Sequence, residues 1–350
     1  MPIPKITVII PHYNGEEILK RCLKSLQTTQ CKDFEVLIVD NGSQDNSLQM
    51  VKTEFPEVNI IQNNKNLGYA GGCNIGIKSC NSKYVVLLNN DTTVKPDWLS
   101  LLLDVIDRDD KIAAVQPKIL SIQHPDRFDY CGAAGGEIDI FGYPFARGRV
   151  FYTMEKDQGQ YDDSRKIFWA TGAAVLLRRS VLDKVKLLEE DFFAHMEEID
   201  LNWRMLLAGY TIVSQPQAVI YHQTGATLGE DKFYKMVLNH RNNLLMILRN
   251  YSVITLLWLL PLRFGLEIFT IMGFFLKFQP KRSIAVIVGL WEVLVYFKTV
   301  LKGRKLVKSI RILNDDLIFK KMYRGSIAIN YFINKITTAK ELYAKVGRSD

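Results

Sequence analysis

The first ninety residues alternate between short apolar runs and segments with helical periodicity. Apolar residues dominate "KITVII", "FEVLIV", "VNII" and "KYVVLL", which predicts four strands. The intervening segments "EEILKRCLKSL", "SLQMVKTEF" and "AGGCNIGIKSC" are predicted to be helices. Strands that are apolar throughout are typical of a sheet covered by helices on both faces. We therefore predict an α/β fold with a mostly parallel central sheet.

Each predicted strand ends in polar residues. Ligands of parallel sheets bind beyond the carboxyl ends of the strands, so these residues are candidates for a binding site. A dinucleotide fold would carry G-x-G-x-x-G directly after the first strand, but this chain has "PHYNG" there, which argues against an NAD-dependent enzyme. The strand-end residues are His12, Tyr13, Asn14, Asp40, Asn41, Asn63, Asn64, Asn66, Asn89, Asn90 and Asp91.

Composition and charge narrow the classes of partner. With 350 residues, 48% of them hydrophobic, the chain can form a catalytic domain with a sizeable core and a smaller appendage. The net charge is +8, but residues 298–350 contain 13 Lys and Arg against 4 Asp and Glu, whereas residues 1–297 contain 32 against 33. The basic charge belongs to the tail, and nucleic acid is not an expected partner. Five cysteines without a C-x-x-C pair indicate neither a disulfide framework nor a zinc site. They fit a reducing cytosolic setting, and the short apolar run at the start does not have the form of a signal peptide.

Seven segments between residues 6 and 228 resemble, in order and spacing, the family 2 glycosyltransferases with a GT-A fold, in particular the rhamnosyltransferase-like branch. The resemblance implies a GT-A catalytic domain over residues 1–228 and a helical, basic, membrane-associating region over residues 229–350. The segments are "VIIPHYNG", "LIVDNGSQDNS", "NNKNLGYAGGCNIGI", "LLNNDTTVKPDWL", "TGAAVLLRRSVLDKV", "FFAHMEEIDLNWRMLLAGY" and "VIYHQTGAT".

This resemblance implies a site for a nucleotide-diphosphate sugar. Asp40 matches the acid that accepts a hydrogen bond from the base, although an Asp at a strand-to-helix turn is also a common helix cap. Glycines in a loop can equally be turn residues, and Arg241 can equally lie on a solvated helix face. The residues implied on the donor side are Pro11, Tyr13, Asn14, Asp40, Asn41, Gly68, Asn74, Asn89, Asn90, Asp91 and Arg241.

The resemblance also implies a divalent metal ion. Members of the family usually carry D-x-D where this chain has "NND", and Asp91 corresponds to the position that binds Mg²⁺ or Mn²⁺. A single carboxylate is compatible with magnesium, which retains water and takes phosphate oxygens as ligands. His222 is the candidate second ligand, although a histidine in a strand-end turn can have no such role.

The stretch "HMEEIDLNWR" corresponds to the family segment that supplies the general base. Glu198 occupies the position of the base and Glu197 is the reserve candidate. Neighbouring carboxylates raise each other's proton affinity, which suits proton removal near neutral pH, but acids at a helix start can also simply favour the helix dipole. A single base implies inversion at the anomeric carbon. The residues implied on the acceptor side are Trp169, Thr171, Gly172, Asp200 and Arg204.

Two other regions bear on the acceptor. Residues 121–166 mix glycine, aromatic and charged residues without periodicity, as in an acceptor-side loop or a mobile surface insertion. Residues 252–276 are long and apolar enough to span a bilayer, but Arg263 and Glu267 interrupt them and could pair at i, i+4. A re-entrant or interfacial hairpin with "IAVIVGLWEVLVYF" and a buried pair of helices in a homodimer are alternatives. The basic residues that follow would face anionic lipids of the inner leaflet.

The resulting expectation is an inverting enzyme at the cytoplasmic face of the cell membrane. It would transfer one sugar, rhamnose from dTDP-rhamnose, to a growing surface glycan on a lipid carrier. A processive polysaccharide synthase is the nearest alternative, but the Q-x-x-R-W motif of such enzymes is absent from this sequence. A non-catalytic glycan-binding relative is the alternative from another class.

Overall fold

The computed structural model describes residues 3–223 and 232–347. Its first ninety residues alternate strands and helices as their apolar runs and helical periodicity predict, and strands β1, β2, β3 and β4 are parallel neighbours. The elements are β1 (Ile6–His12), α1 (Glu16–Gln27), β2 (Phe34–Asp40), α2 (Ser47–Glu54), β3 (Asn59–Gln62), α3 (Gly68–Ser79) and β4 (Tyr84–Leu88).

The central sheet is mixed rather than parallel throughout. Its order is β11-β13-β6-β12-β4-β1-β2-β3, with β5 paired to β13, and β12 runs antiparallel to both β4 and β6. All five residues of β12 are buried, so its sequence has the same continuous apolar character as a parallel strand. The further elements are β5 (Thr92–Val94), α4 (Trp98–Ile106), β6 (Ile112–Ser121), β11 (Arg165–Ile167), β12 (Ala174–Arg178), α5 (Arg179–Val185), α6 (Glu197–Leu207) and β13 (Thr211–His222).

Side chains of the strands alternate between two hydrophobic cores. Ile9 faces the core that contains α3 and α6, whereas Val8 and Ile10 face the core that contains α1, α2 and α4. Both faces of the sheet are thus covered. This arrangement leaves the carboxyl ends of β1, β2 and β4 at one open edge, where the polar residues lie.

Residues 121–166 are packed rather than mobile. They contain a second, four-stranded antiparallel sheet whose apolar side chains form a third core with the C-terminal helices. Its strands have only two or three residues, which is too short for the alternation that predicts a strand from sequence. The strands are β7 (Gly136–Ile138), β8 (Pro144–Ala146), β9 (Arg149–Val150) and β10 (Thr153–Met154).

The C-terminal third is helical, as predicted. Leu244 and Leu245 on α7 share a hydrophobic core with the central sheet and with Val293 and Val300 farther along the chain. One core therefore extends across the predicted domain division, whose boundary at residue 228 lies outside the described residues. The helices are α7 (Lys232–Asn250), α8 (Val253–Leu276), α9 (Pro280–Val295), α10 (Phe297–Ile310), α11 (Asp315–Phe319), α12 (Ile327–Phe332) and α13 (Ala339–Lys345).

Candidate active site

A pocket of about 280 Å³ opens at the carboxyl ends of β1 and β4. Its walls come from these strand ends, the start of α6, the small sheet and the first turns of α7. The pocket brings together residues that lie up to about two hundred positions apart in the sequence. The predicted site residues that line it are Pro11, Tyr13, Asn41, Gly68, Asn89, Asn90, Asp91, Trp169, Thr171, Gly172, Glu197, Glu198 and His222.

Asp40 and Asn14 organise the turn beside the pocket. The Asp40 carboxylate accepts hydrogen bonds from the backbone N–H groups of Gly42 and Ser43, at 3.1 and 3.2 Å. Asn14 Oδ1 accepts one from the N–H of Gln44 at 2.8 Å. The carboxylate near the start of α2 is that of Asp45, which accepts from the N–H of Ser47, so Asp40 is not the cap of this helix. Its contact with a base stays a prediction.

Asp91 and His222 are neighbours on opposite sides of one strand pairing. His222 ends β13 opposite Thr92 in β5, and its Nε2 lies 3.0 Å from Asp91 Oδ1. Its Nδ1 lies 2.9 Å from Asp129 Oδ1. Burial lowers the pKa of His222, but hydrogen bonds to Asp129 and Asp91 outweigh that effect and hold the pKa well above its usual value. The rest of the predicted "VIYHQTGAT" segment, from residue 224, lies outside the described residues.

Metal binding requires a neutral imidazole, so a cation would have to displace the proton that the raised pKa of His222 retains. With that proton lost, the donor atoms around His222 fit a divalent cation. Two adjacent ligands of an octahedral ion at 2.0–2.1 Å are roughly 3 Å apart, which agrees with the 3.0 Å between Asp91 Oδ1 and His222 Nε2. An imidazole ligand beside a carboxylate favours manganese over magnesium, since magnesium prefers oxygen. Asp129, Cys131 and His222 also place ligand atoms within 4.8 Å of one another.

His12, the last residue of β1, also lines the pocket. Its Nδ1 lies 2.8 Å from the Asn90 amide nitrogen, which donates, so a neutral ring carries its proton on Nε2. Burial lowers the pKa of His12 and favours this neutral form. Nε2 is buried without a hydrogen-bond partner among the described residues, so it is a donor available to a ligand.

The two acids at the start of α6 line the same pocket. Burial, followed by the charge of Glu198, raises the pKa of Glu197 well above its usual value. Burial also raises the pKa of the half-buried Glu198, to about 7. One oxygen of each carboxylate is buried without a hydrogen-bond partner in the described part of the chain. A carboxylate with a pKa near 7 and a free oxygen can remove a proton at neutral pH.

The loop before α6 is held in an unusual conformation. Phe193, His195 and Met196 all have positive φ, at 62°, 70° and 72°. The amide nitrogen of Asn242 on α7 lies 2.8–2.9 Å from three carbonyl oxygens of this loop, those of Phe192, Ala194 and His195, which share its two N–H donors. Strained backbone persists where its surroundings fix it, and here it sets the position of the acids.

Gly68 and Arg241 support this loop from two sides. Gly68 has a φ of 70°, and a Cβ there would lie 2.5 Å from the carbonyl oxygen of Phe193, so no larger residue fits. Arg241 donates to the carbonyl of Asp191 at 3.0 Å and pairs with Glu292 at 2.9 Å. Its side chain does not line the pocket, so a direct donor contact from Arg241 stays a prediction.

Three further predicted residues lie behind the pocket wall. Asp200 pairs with Arg204 at 2.9 Å and with Arg249 at 3.2 Å, and both Asp200 and Arg204 are buried. The side-chain amide of Asn74 donates a hydrogen bond to the carbonyl of Leu188 and accepts one from the N–H group of the same residue. Their contacts fix α3, α6 and α7 against one another, so these residues act on the pocket through the position of its walls rather than by lining it.

Five further residues in or beside the pocket come mainly from segments without a recognisable pattern. They offer a carboxylate beside His222, a thiol, two cations and the imidazole of His195. Burial and the charge of Lys235 lower the pKa of His195 to about 4. Residues 121–166 have no periodicity that would single out members of this segment, and α7 reaches the pocket only by tertiary packing. These residues are Asp129, Cys131, Arg149, His195 and Lys235.

Comparison with known sequences identifies the family. The profile of glycosyl transferase family 2 matches residues 7–186. The chain is 26% identical over 280 residues to N-acetylglucosaminyl-diphospho-decaprenol L-rhamnosyltransferase of Mycobacterium tuberculosis, which covers 75% of this chain and 89% of the relative. It is 25% identical over 225 residues to the pre-mycofactocin glycosyltransferase of the same species, covering 62% of this chain and 42% of that protein.

Solved structures share the fold at low sequence identity. The mannosyltransferase PcManGT from Pyrobaculum calidifontis, in complex with GDP-Man and Mn²⁺, superposes with a TM-score of 0.51 at 14% identity, covering 96% of this chain and 89% of that chain. GalNAc-T7 with UDP, GalNAc and Mn²⁺ gives a TM-score of 0.55 at 15% identity, covering 70% and 48%. These likenesses confirm the predicted GT-A fold. Because the family profile spans half of the chain, the chain belongs to glycosyl transferase family 2.

Proposed function

We propose that the protein is an inverting glycosyltransferase that moves a single sugar from a nucleotide-diphosphate sugar to a lipid-linked glycan. One observation carries this proposal. One pocket is lined both by the Asp91–His222 pair, suited to a metal-bound diphosphate, and by the Glu197–Glu198 pair, suited to proton removal. The sugar would lie between them, with its leaving group on one side and the acceptor hydroxyl on the other.

The donor side holds the diphosphate. We propose that Asp91 and His222 bind Mn²⁺ or Mg²⁺, which would neutralise the charge that develops on the departing diphosphate. The Nε2–H of His12 and the side chain of Asn89 line the same wall and can donate hydrogen bonds to the sugar or its phosphate oxygens. The turn at residues 40–44, beside the end of β2, would receive the base.

Transfer then takes one displacement. The Glu198 carboxylate accepts the proton of the acceptor hydroxyl, and the oxygen attacks the anomeric carbon from the face opposite the diphosphate. The new glycosidic bond forms as the bond to the diphosphate breaks, and its electron pair leaves with the nucleoside diphosphate. Glu197 stays protonated because its pKa lies well above the usual range, so it can donate a hydrogen bond to a sugar hydroxyl.

The relative from Mycobacterium tuberculosis that matches 75% of this chain supports a choice of donor and acceptor classes. That protein is an N-acetylglucosaminyl-diphospho-decaprenol L-rhamnosyltransferase. We propose the same classes of substrate here: dTDP-rhamnose as donor, and a sugar linked through diphosphate to a polyprenol as acceptor. A processive synthase would instead add many sugars to one acceptor.

Single-turnover assays with purified full-length protein test this proposal. We expect dTDP-rhamnose with Mn²⁺ to yield one added sugar on a polyprenyl-diphosphate-linked N-acetylglucosamine, detected by mass spectrometry, with inverted anomeric configuration by NMR. A panel of UDP-, dTDP- and GDP-sugars should show preferential turnover of one donor. Products longer by several sugars would favour the synthase, and absence of turnover with every donor would favour a binding protein.

The apolar face of α8 supports attachment to a membrane surface. Among the described residues, α8 is the one helix that length and composition would allow to cross a bilayer, and α9 with α10 would qualify together although they bend by 63°. Arg263 and Glu267 are paired at 2.5 Å as predicted, and both are buried against the catalytic part through Tyr143 and His240. Insertion across the bilayer would remove this pair from its partners, so we propose that α8 lies in the plane of the cytoplasmic leaflet.

Vesicle flotation tests this attachment. Phe269, Phe275 and Phe278 are 68%, 69% and 93% exposed. We expect the triple substitution of these residues by serine to reduce binding to anionic vesicles at least about tenfold, because each buried aromatic side chain contributes roughly 2 kcal/mol. Half-molar salt should release little wild-type protein, since apolar burial is not screened. Ile3→Ser, on the opposite end of the chain, is the matched control and should bind as wild type; equal binding by the triple variant would refute the attachment.

A further inference from the structure

Arg149 is an exception among the buried arginines. It is 6% exposed, lies at the start of β9 and lines the pocket. Within residues 3–223 and 232–347, its guanidinium forms neither an ion pair nor a hydrogen bond, and its Nε is buried without a partner. The other buried arginines all have carboxylate partners: Arg147, Arg178, Arg204, Arg241, Arg249 and Arg263.

An unpaired buried cation is costly unless a ligand supplies its counter-charge. The recorded neighbour of Arg149 is the ring of Tyr130, whose centroid lies 4.4 Å from the guanidinium carbon and which orients the group without neutralising it. A second cation, Lys235 on α7, lines the same pocket and has no ion-pair partner in the described part of the chain. Among the residues that the structure describes, neither of these two pocket cations has a carboxylate partner.

The position of Arg149 separates it from the donor side. Most of the predicted donor residues follow strand ends of the central sheet, whereas Arg149 belongs to the small sheet. Its neighbour Tyr130 lies in sequence between Asp129 and Cys131, and Arg149 is also close enough to Glu198 for its charge to oppose the rise in the pKa of that acid. An anion held by Arg149 beside Glu198 would lie where the proposed acceptor binds. The planar guanidinium, with paired N–H donors, matches phosphate oxygens.

The same wall is attached to the apolar helix. Tyr143, next to the pocket residue Pro144, accepts a hydrogen bond from Arg263 of α8 at 2.5 Å, and its ring lies 4.1 Å from that guanidinium. An acceptor whose lipid lies along the exposed face of α8 would approach the pocket past this wall. Its charged linkage would then meet Arg149 before its sugar reaches Glu198.

We propose that Arg149, together with Lys235, binds the diphosphate that links the acceptor sugar to its lipid. This inference rests on the proposed function for the lipid-linked acceptor. In this proposal the small sheet selects acceptors by their charge. The metal site binds the other diphosphate, that of the donor. Recognition of a charged linkage would favour lipid-linked glycans over free sugars that present the same hydroxyl.

Two acceptors with the same sugar test the inference. One carries N-acetylglucosamine on a short polyprenyl diphosphate, and the other carries it on an uncharged alkyl chain. We expect Arg149→Gln to reduce kcat/KM about 10- to 100-fold with the diphosphate acceptor, the usual range for a lost charge-assisted hydrogen bond. Both acceptors are compared at about two pH units above the pKa of Glu198, so that this base is ionised with or without the Arg149 charge. There we expect a much smaller loss with the alkyl acceptor, and affinity for dTDP should not change. Arg127→Gln, at an exposed position of the same segment, is the matched control.

The outcomes separate the explanations. Equal losses with both acceptors would overturn the inference, because Arg149 would then act on the base or the fold; a weakened affinity for dTDP would assign Arg149 to the donor diphosphate instead. If Arg149→Gln does not fold, Arg149→Lys should show a smaller loss confined to the charged acceptor.

A binding measurement keeps the inference independent of catalysis. Calorimetry with farnesyl diphosphate, in saturating dTDP and Mn²⁺, should show binding to wild type and at least tenfold weaker binding to Arg149→Gln. If wild type transfers sugar to neither acceptor but this difference persists, the proposed function fails and the anion site stands. If the two proteins bind farnesyl diphosphate equally, the anion site fails.

Discussion

Glu198→Gln is expected to remove most sugar transfer while leaving donor binding nearly unchanged. The substitution retains the volume and hydrogen-bonding reach of the side chain but cannot accept a proton. Loss of a general base typically costs ~10²- to 10⁴-fold in rate, and a single-displacement enzyme with one base should lie near the upper end. Single-turnover transfer at saturating donor measures the loss, and calorimetric titration with dTDP measures donor binding.

Two companion variants locate the base. Glu197→Gln should cost less, because a glutamine can still donate the hydrogen bond that protonated Glu197 offers. Glu198→Asp restores the residue usual in the family and shortens the arm, so its activity reports whether the site is built around the longer side chain. If Glu197→Gln is inactive and Glu198→Gln is active, Glu197 is the base.

The pKa of Glu198 gives this prediction a pH signature. Because burial raises the pKa to about 7, kcat/KM of wild type should rise tenfold per pH unit below 7 and become constant above it. The protonated carboxyl is favoured in the folded state relative to the reference value of 4.5. Its contribution to stability is therefore complete below pH 4.5 and is lost as the pH rises through 7. Glu198→Gln should melt with wild type at pH 4.5 but above it at pH 8.

Asp91→Ala is expected to abolish the part of nucleotide binding that depends on Mn²⁺. The substitution removes the one carboxylate of the "NND" sequence that faces His222, and a bound metal contributes several kcal/mol of charge stabilisation, which corresponds to roughly 10²- to 10³-fold or more in turnover. Titration of dTDP with and without Mn²⁺ measures the first effect. Asp40→Ala should instead weaken dTDP binding equally under both conditions, since Asp40 lies at the turn beside the pocket.

His222→Gln and Asp104→Ala complete this test. His222→Gln should weaken the manganese effect without reversing it, because a carboxylate ligand remains. Asp104 is exposed on α4, so Asp104→Ala should not change dTDP binding with or without Mn²⁺. Manganese-dependent binding that survives in Asp91→Ala would assign the metal to the other group of ligand atoms, those of Asp129, Cys131 and His222.

Much of the fold was predictable because its first half follows simple periodicities. Continuous apolar strands and amphipathic helices specified the parallel half of the sheet, and the polar ends of those strands specified one edge of the pocket. The antiparallel direction of β12 could not be predicted from the sequence. A strand buried on both faces has the same apolar composition whether it is parallel or antiparallel to its neighbours. The small sheet could not be predicted from the sequence, because strands of two or three residues are too short to show an alternation of apolar and polar residues.

The sequence by itself determined the family, the strand-end edge that carries Asp91, and the acidic start of α6. Each of these depends on residues close together along the chain, so local spacing suffices. Only the tertiary structure decided that Asp129 contacts His222, that Arg149 has no carboxylate partner within the described ranges, and that Arg241 lies behind the loop before α6. Those facts depend on which distant segments pack together and on which buried charges are thereby paired, and no periodicity in the chain encodes that pairing.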